Sequence, residues 1–241
     1  NGKYIHNPDF PTNSFFNAWI GGDMLYLAYT LFFTFLPVGA ALPYAWSFYI
    51  ERKNGYIRNI ATRTNKMNYY YSKIITVFLS GSFAVLVPYI INIFVVSAFI
   101  PYYKPWAGYN FYNMIFFGNM WADLFFSKPI IHMILVVTLN VLYGGIFALL
   151  SFAISFFIKN IIAILFGPFL LMIICGYIEN IIVRHFLKNS LIIFEFVPTR
   201  FLHSRTIYNQ VTSENVICIT MLLLILSLTI ILLKGYKDEI Y

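Results

Sequence analysis

Long uncharged runs alternate with short polar segments along this chain. A helix that crosses the hydrocarbon core of a bilayer takes about 20 apolar residues. Five stretches reach that length, at about 24–50, 74–101, 129–158, 161–183 and 214–234. The pattern therefore predicts an all-α polytopic membrane protein with a single transmembrane domain over residues 1–241.

The segment 51–73 is the most strongly basic part of the chain. It holds six of the sixteen Lys and Arg residues and one acid, Glu51. Lys and Arg in short loops beside spans are retained on the cytoplasmic side of a membrane. We therefore predict that this segment is a cytoplasmic loop, and the sides of the other segments follow from it.

Alternation from that loop puts Lys159 and the C-terminus in the cytoplasm. The inside segments then carry nine Lys and Arg and three acids, a net charge of +6. The outside segments carry seven Lys and Arg and six acids, a net charge of +1. The charge bias therefore agrees with the positive-inside rule. Five visible spans that start outside predict one earlier span that this sequence lacks, hence six in the full chain.

Three further features refine this topology. The third and fourth spans are separated by Lys159 and Asn160 alone, which predicts a tight helical hairpin. Residues 179–212 mix apolar pieces with charges and predict two short re-entrant or interfacial helices before the last span. Pro37 and Pro43 lie in the first span, where neighbouring helices satisfy the freed carbonyls, so they predict kinks rather than an end of the helix.

Small and polar residues inside the spans indicate where helices meet. Gly144 and Gly145 in the third span predict a close approach to a neighbouring helix. Asn92 and Asn140 lie in the middle of apolar runs and predict hydrogen bonds between helices.

The composition excludes a soluble domain and several kinds of partner. Apolar residues make up 60% of the chain and charged residues 10%, and the mean hydropathy is +0.75. A soluble domain of this size could not cover so much apolar surface. The net charge of +7 is explained by loops that face anionic headgroups. The lipid bilayer is therefore a predicted partner, and nucleic acid is not.

Motifs for catalysis and metal binding are missing from the sequence. The two cysteines lie in apolar runs and the four histidines show no ligand spacing, so we expect no disulfide and no metal site. Neither a nucleotide-binding loop nor a nucleophile or zinc-protease motif occurs. We therefore expect no catalytic residue and no cofactor in this chain. An intramembrane enzyme would need a His/Glu or Ser/Lys cluster facing one cavity.

The cytoplasmic loop has features of a short docking helix. Gly55 allows a tight turn out of the preceding span. In the next segment apolar residues recur at helical spacing, with Arg58 on another face. These apolar residues are Tyr56, Ile57, Ile60 and Ala61. This predicts an amphipathic helix, parallel to the membrane, that could dock into a groove on a cytoplasmic partner. The alternative is that the basic loop only binds lipid headgroups.

The order of four residues in this loop resembles a known family. Glu51, Gly55, Arg63 and Lys73 are arranged as in the first cytoplasmic loop of permease subunits of type-2 (ABC-2-like) bacterial ABC exporters. The residues read ERKNGYIRNIATR and then TNKMNYYYSK. The layout of spans, tight hairpin and mixed segment before the last span is similar too. The sequence departs from the family in lacking the first span and in having Thr62 where a proline often precedes the arginine.

The resemblance implies a function and a set of partners. It implies a permease that exports a lipophilic or amphipathic substrate, such as a peptide or antimicrobial compound, from the cytoplasm across a bacterial plasma membrane. ATP and Mg would be bound and used by separate cytoplasmic ABC ATPase subunits, and a second permease copy or paralogue would complete the path. The residues implied in ATPase coupling are Glu51, Gly55, Tyr56, Ile57, Arg58, Ile60, Arg63 and Lys73.

The main alternative function comes from another class of protein. It is a non-transporting membrane sensor or assembly subunit that binds a partner protein. Copurification of a nucleotide-binding subunit separates the two, because only the exporter needs one.

Glu179 is the other candidate site residue. An acid within an apolar stretch is a candidate for a functional site by default, and here we consider a gating or substrate-contacting role. Arg184, five residues on, would not share its helix face. We expect Glu179 near the outer interface, within reach of water, where snorkelling or helix capping is the alternative role.

Overall fold

A computed structural model of the chain describes residues 14–22, 27–105, 115, 119–186, 197–203 and 213–237. All regular secondary structure in these ranges is α-helical, which confirms the predicted fold class. In chain order the helices are α1 (Phe15–Ala18), α2 (Leu27–Ala41), α3 (Ser47–Lys53), α4 (Tyr56–Ala61), α5 (Lys66–Phe99), α6 (Ala122–Ser127), α7 (Pro129–Ile154), α8 (Ile161–Phe186), α9 (Pro198–Phe201) and α10 (Ser213–Lys237).

Four of these helices are long and apolar enough to cross a membrane: α5, α7, α8 and α10. The apolar helix α2 is shorter, at 15 residues. Four spanning helices and α2 agree roughly with the five spans predicted. The chain is a multi-pass membrane protein.

The first predicted span is divided. Helix α2 continues past Pro37 but ends at Ala41, and a turn over 42–46 separates it from α3. Pro43 lies in that turn, where it has no N–H to donate and its ring opposes the carbonyl of residue 39. The prediction that the helix only kinks at Pro43 is therefore wrong. The division lets α3 start anew and present Glu51 near its end.

The chain forms two compact units, which alternate along the sequence. The first comprises Asn1–Thr34, Leu86–Asn140 and Cys175–Val216. The second comprises Phe35–Val85, Val141–Ile174 and Ile217–Tyr241.

In the first unit, the segment that contains α1 is attached to the later part of α5. The N–H of Phe15 donates to the carbonyl of Pro101 at 3.1 Å, and the N–H of Ile20 donates to Oδ1 of Asn92 at 2.8 Å. Asn92 was predicted to bond between helices, but it accepts from non-helical backbone instead. Its side chain satisfies an N–H that would otherwise lack a partner.

In the second unit, glycines bring helix backbones into direct contact. A Cβ placed on Gly81 of α5 would lie 2.6 Å from the carbonyl oxygen of Gly144 in α7 and 2.5 Å from Cβ of Ala148. It would also lie 3.1 Å from the carbonyl oxygen of Ala40 in α2. Only a residue without Cβ fits there. The close approach predicted at Gly144 is confirmed, and α2, α5 and α7 meet at Gly81.

We predict that Gly81→Ala destabilises the protein and that Gly39→Ala does not. The methyl group at position 81 forces α5 from α7, which should lower the free energy of unfolding by about 1–3 kcal/mol. Gly39 is also helical, but a Cβ there meets no atom within 4 Å. Thermal unfolding of the two variants in the same detergent tests this. Equal melting temperatures would contradict the packing argument.

Candidate functional site

A left-handed glycine turns the chain between α3 and α4. Helix α3 ends at Lys53, and the N–H of Asn54 still donates to the carbonyl of Ile50 at 2.9 Å. Gly55 follows with φ 71° and ψ 8°. A Cβ at this position would meet no atom within 4 Å, so the backbone conformation and not crowding favours glycine. The tight turn predicted at Gly55 is confirmed.

Helix α4 is amphipathic, as predicted, but its faces differ from the prediction. Ile57 is buried in the core of the second unit, and Ile60 is half-buried. Arg58 is exposed, and so is Tyr56, at 52%. On a helix Tyr56 and Ile57 lie about 100° apart, and Ile60 falls between them. The face that was predicted to dock into a partner is therefore divided, since Ile57 packs into the core of the chain itself and Tyr56 is exposed.

The two ends of the loop are joined by an ion pair. Nζ of Lys73 in α5 donates to Oε1 of Glu51 in α3 at 2.5 Å. The hydroxyl of Tyr69 donates to the other carboxylate oxygen of Glu51. The ammonium group of Lys73 also lies over the ring of Tyr44, 4.2 Å from its centroid. One carboxylate and one ammonium group thus hold together the turn after α2, helix α3 and the start of α5.

The lysine of this pair is more deeply buried than the glutamate. The side chain of Lys73 is 4% exposed and that of Glu51 20%. A buried charge is tolerated only when it is paired and hydrogen-bonded. Any movement of α3 away from α5 would leave the ammonium group without its partner. The sequence predicted that both residues terminate spans, but not that they pair with each other.

The loop rests on an aromatic core in the second unit. The ring of Phe48 in α3 packs on Phe152 in α7 with centroids 5.1 Å apart, and on Phe156 at 4.6 Å. At the start of α5, Nζ of Lys66 donates to the carbonyl of Tyr236 in α10 at 3.2 Å. Arg63, between α4 and α5, is exposed. The loop therefore has a fixed inner side and an exposed, basic outer side.

Glu179 forms a separate site in the first unit. Its side chain is completely buried, and Oε2 accepts the N–H of Val197 at 3.2 Å. We expected this residue within reach of water, and that expectation is wrong. Val197 is the residue that precedes the short helix α9, so the carboxylate holds a buried chain segment in place.

The segment 197–203, which contains α9, has two further attachments. Nδ2 of Asn140 in α7 donates to the carbonyl of Leu202 at 3.1 Å. The ring of His203 packs against Phe33 with centroids 4.3 Å apart and stacks on Tyr29 at 5.0 Å. Burial lowers the pKa of His203 to about 4, so the imidazole is neutral at pH 7.

Helix α9 is one short helix before the last span, where the sequence predicted two. The other parts of this mixed segment, 187–196 and 204–212, lie outside the described residues. Asn140 also donates to the carbonyl of Val136 in its own helix at 2.9 Å. Its contact beyond that helix, like that of Asn92, is to backbone outside the spanning helices and not to a neighbouring span. Each asparagine thus provides a hydrogen-bond partner for a main-chain group that lies outside regular helix.

Among the described residues, no three His, Cys, Asp or Glu side chains gather as a metal site would require. The expectation that the chain binds no metal or cofactor stays a prediction. Protein-family models, curated proteins and solved structures were compared with the chain, and none matches it. The likeness to type-2 permeases therefore depends on the residues of the loop and on the span layout.

We predict that Glu51→Gln destabilises the protein by about 3 kcal/mol, because it leaves a buried ammonium group without a carboxylate. The double variant Glu51→Gln/Lys73→Met should recover part of this loss, since no buried charge is then left unpaired. Denaturant unfolding in detergent measures both.

Glu214→Gln is a matched control for that experiment. Glu214 is exposed at the start of α10, and its substitution should change stability by less than about 0.5 kcal/mol. Losses that simply add in the double variant would show that the pair contributes no coupling energy.

We also predict that Glu179→Leu loosens the segment 197–203 while Glu179→Gln does not. Glutamine keeps an oxygen that can accept the N–H of Val197. Leucine leaves that buried N–H without this acceptor, at a cost of about 1–3 kcal/mol. Amide hydrogen exchange of Val197 and the residues of α9 should be faster in the leucine variant. Equal exchange in the two variants would mean that this hydrogen bond does not hold the segment.

Proposed function

We propose that this chain is the membrane-spanning permease subunit of a type-2 bacterial ABC exporter. In this proposal it lies in the plasma membrane with its C-terminus in the cytoplasm, and it hydrolyses no ATP itself. Cytoplasmic ABC ATPase subunits bind the loop 51–73, and a second permease copy or paralogue completes the transport path. The observation that supports this most is the Glu51–Lys73 ion pair, which joins both ends of the loop.

A docking element has to combine a free outer side with a fixed inner side. The exposed Tyr56, Arg58 and Arg63 are the groups that α4 and its flank present to a partner. Ile57 on the other side is held in the core. A push on the outer side of α4 would therefore be resisted at Ile57 and transmitted to α3 and α5, rather than absorbed as a bending of the loop.

The coupling path in this proposal is short. The chain turns from α3 to α4 at a single left-handed residue, Gly55. This connection is too short to let the two helices move independently. From α3, Glu51 passes the movement to Lys73, which is already within α5. Closure of two ATPase subunits would thus shift α3 and α5 together. Packed side-chain contacts of this kind switch between discrete arrangements and do not bend gradually. In this proposal the loop therefore has two alternative packings.

The substrate proposal is less specific than the coupling proposal. A lipophilic or amphipathic compound, such as a peptide, suits a path made of apolar helices. Glu179 would act as a gate by holding or releasing the segment 197–203. Its burial supports this role, since the segment moves only if the hydrogen bond to Val197 is broken or replaced.

The loop contacts also suit the alternative, a sensor or assembly subunit. Such a protein would need a fixed docking helix for its partner but no nucleotide-binding subunit. Purification of the tagged chain from its native membrane separates the two proposals. For the exporter, an ATPase with a nucleotide-binding loop should copurify at a stoichiometric amount and hydrolyse MgATP.

Two loop variants sharpen the experiment. Arg58→Glu/Arg63→Glu reverses the exposed charge and should reduce the recovered ATPase by about tenfold, as expected for the loss of electrostatic contacts at an interface. Gly55→Val keeps every charge but strains a residue at φ 71°, and should also weaken binding.

Lys104→Glu/Lys128→Glu is the matched control, since both lysines are exposed, lie in the first unit and change the charge equally. It should retain the ATPase. If wild type brings down no ATPase, the exporter proposal fails and the sensor proposal takes its place.

A further inference from the structure

The imidazole of His203, at the end of the segment 197–203, packs against two rings of α2. It is stacked on the ring of Tyr29, with the ring planes 27° apart and the centroids 5.0 Å apart. It is tilted against the ring of Phe33, with the centroids 4.3 Å apart. Both rings of α2 are buried, and all three residues belong to the first unit. The imidazole therefore attaches the segment to α2.

The surroundings of Nδ1 suit a neutral imidazole and not an imidazolium. Nδ1 of His203 is shielded from solvent and has no hydrogen-bond partner among the described residues. A neutral ring can carry its proton on Nε2 and leave a lone pair at Nδ1. An imidazolium has to place an N–H at Nδ1 as well, and that buried donor would lack an acceptor. The faces of Tyr29 and Phe33 attract a cation, but this attraction is weaker than the hydration that a buried cation gives up.

The elements packed against the segment provide no countercharge for His203 in the described part of the chain. On α2 the titratable group that faces the imidazole is the phenol of Tyr29. On α7 the contact is made by Asn140, which is uncharged. On α8 the carboxylate of Glu179 binds Val197, at the other end of the segment. Among the described acids, none forms an ion pair with His203.

The charges near His203 along the sequence also disfavour its protonation. Arg200 and Arg205 are three and two residues away and carry the same charge as an imidazolium. Glu195, the nearest acid along the sequence, is eight residues away. Like charges that are close together favour the neutral form of a histidine.

We propose that His203 is a pH-sensitive switch for the segment 197–203: the neutral imidazole holds the segment on α2, and protonation of the ring releases it. Once released, the imidazolium is hydrated and both of its N–H groups have partners. The segment is predicted to lie on the outer side of the membrane, so the signal would be acid in the outside medium. This inference goes beyond the permease proposal and does not depend on it.

The pKa of His203 gives the direction and size of the effect. Burial lowers this pKa from 6.5 to about 4 in the docked segment. The docked form therefore binds fewer protons than the released form. Its attachment is at full strength above the pKa of the released histidine and weakens as the pH falls towards the lower value. The docking equilibrium constant should fall by about 30-fold between about pH 7.5 and about pH 5.

Hydrogen exchange of the detergent-solubilised protein, read by mass spectrometry, tests the switch. Labelling times are lengthened at about pH 5 to offset the slower intrinsic exchange, so that protection factors are compared. In wild type the protection of 197–203 should fall by about 30-fold between the two pH values. Amides of α7 should keep their protection, which shows that the fold as a whole is intact. Equal protection of 197–203 at both pH values would overturn the proposal.

His203→Phe keeps a ring against Tyr29 and Phe33 but cannot be protonated. Its segment should be as protected as that of wild type at about pH 7.5 and should show no loss at about pH 5. A loss of protection in this variant as large as that in wild type would mean that another group is the switch.

Two further variants test the groups that could titrate instead. His132→Phe is the matched control, because His132 is a second buried histidine of the first unit and packs against the ring of Phe125 at 5.3 Å. Glu179→Gln removes the acid that binds the segment and keeps an oxygen for Val197. Both variants should retain the acid-induced loss that wild type shows. If either one abolishes this loss, the assignment of the switch to His203 is wrong.

Discussion

The buried ammonium group of Lys73 constrains the whole cytoplasmic loop. A charge that is 4% exposed needs a carboxylate, and the one acid in the described part of the second unit is Glu51. For Glu51 to reach this ammonium group, α2 has to end before α3 begins. The chain also has to turn sharply within a few residues of the end of α3. Pro43 makes the first of these breaks and Gly55 makes the second. The hydroxyl of Tyr69 then donates to the carboxylate, and the ring of Tyr44 lies against the ammonium group.

Polar side chains in the first unit perform a different task, because in lipid every main-chain group needs a partner. Asn92 accepts from the N–H of Ile20, Asn140 donates to the carbonyl of Leu202, and Glu179 accepts from the N–H of Val197. In each case a spanning helix supplies a side chain to non-helical backbone. The chain thereby keeps irregular segments buried without leaving these groups unsatisfied.

The sequence predicted the fold class, the spanning runs, the Gly55 turn and helix α4, because these depend on local hydrophobic periodicity and on glycine conformation. It did not predict the Glu51–Lys73 pair, which joins residues 22 positions apart and requires the three-dimensional course of the loop. One signal was available: a single acid and a lysine at opposite ends of a basic loop. The burial of Glu179 could not be predicted either, since it depends on the docking of a segment that is distant in sequence.

The second unit combines features that make its loop a stiff element. Backbone contact at Gly81 and Gly144 leaves α5 and α7 no room to move closer, and the rings of Phe48 and Phe152 fill the space between α3 and α7. An interior packed in this way responds to force by shifting as a body rather than by local compression. The ion pair extends this stiffness to the loop. A partner that binds α4 can therefore move α3 and α5 only if it binds one arrangement of these three helices more tightly than another.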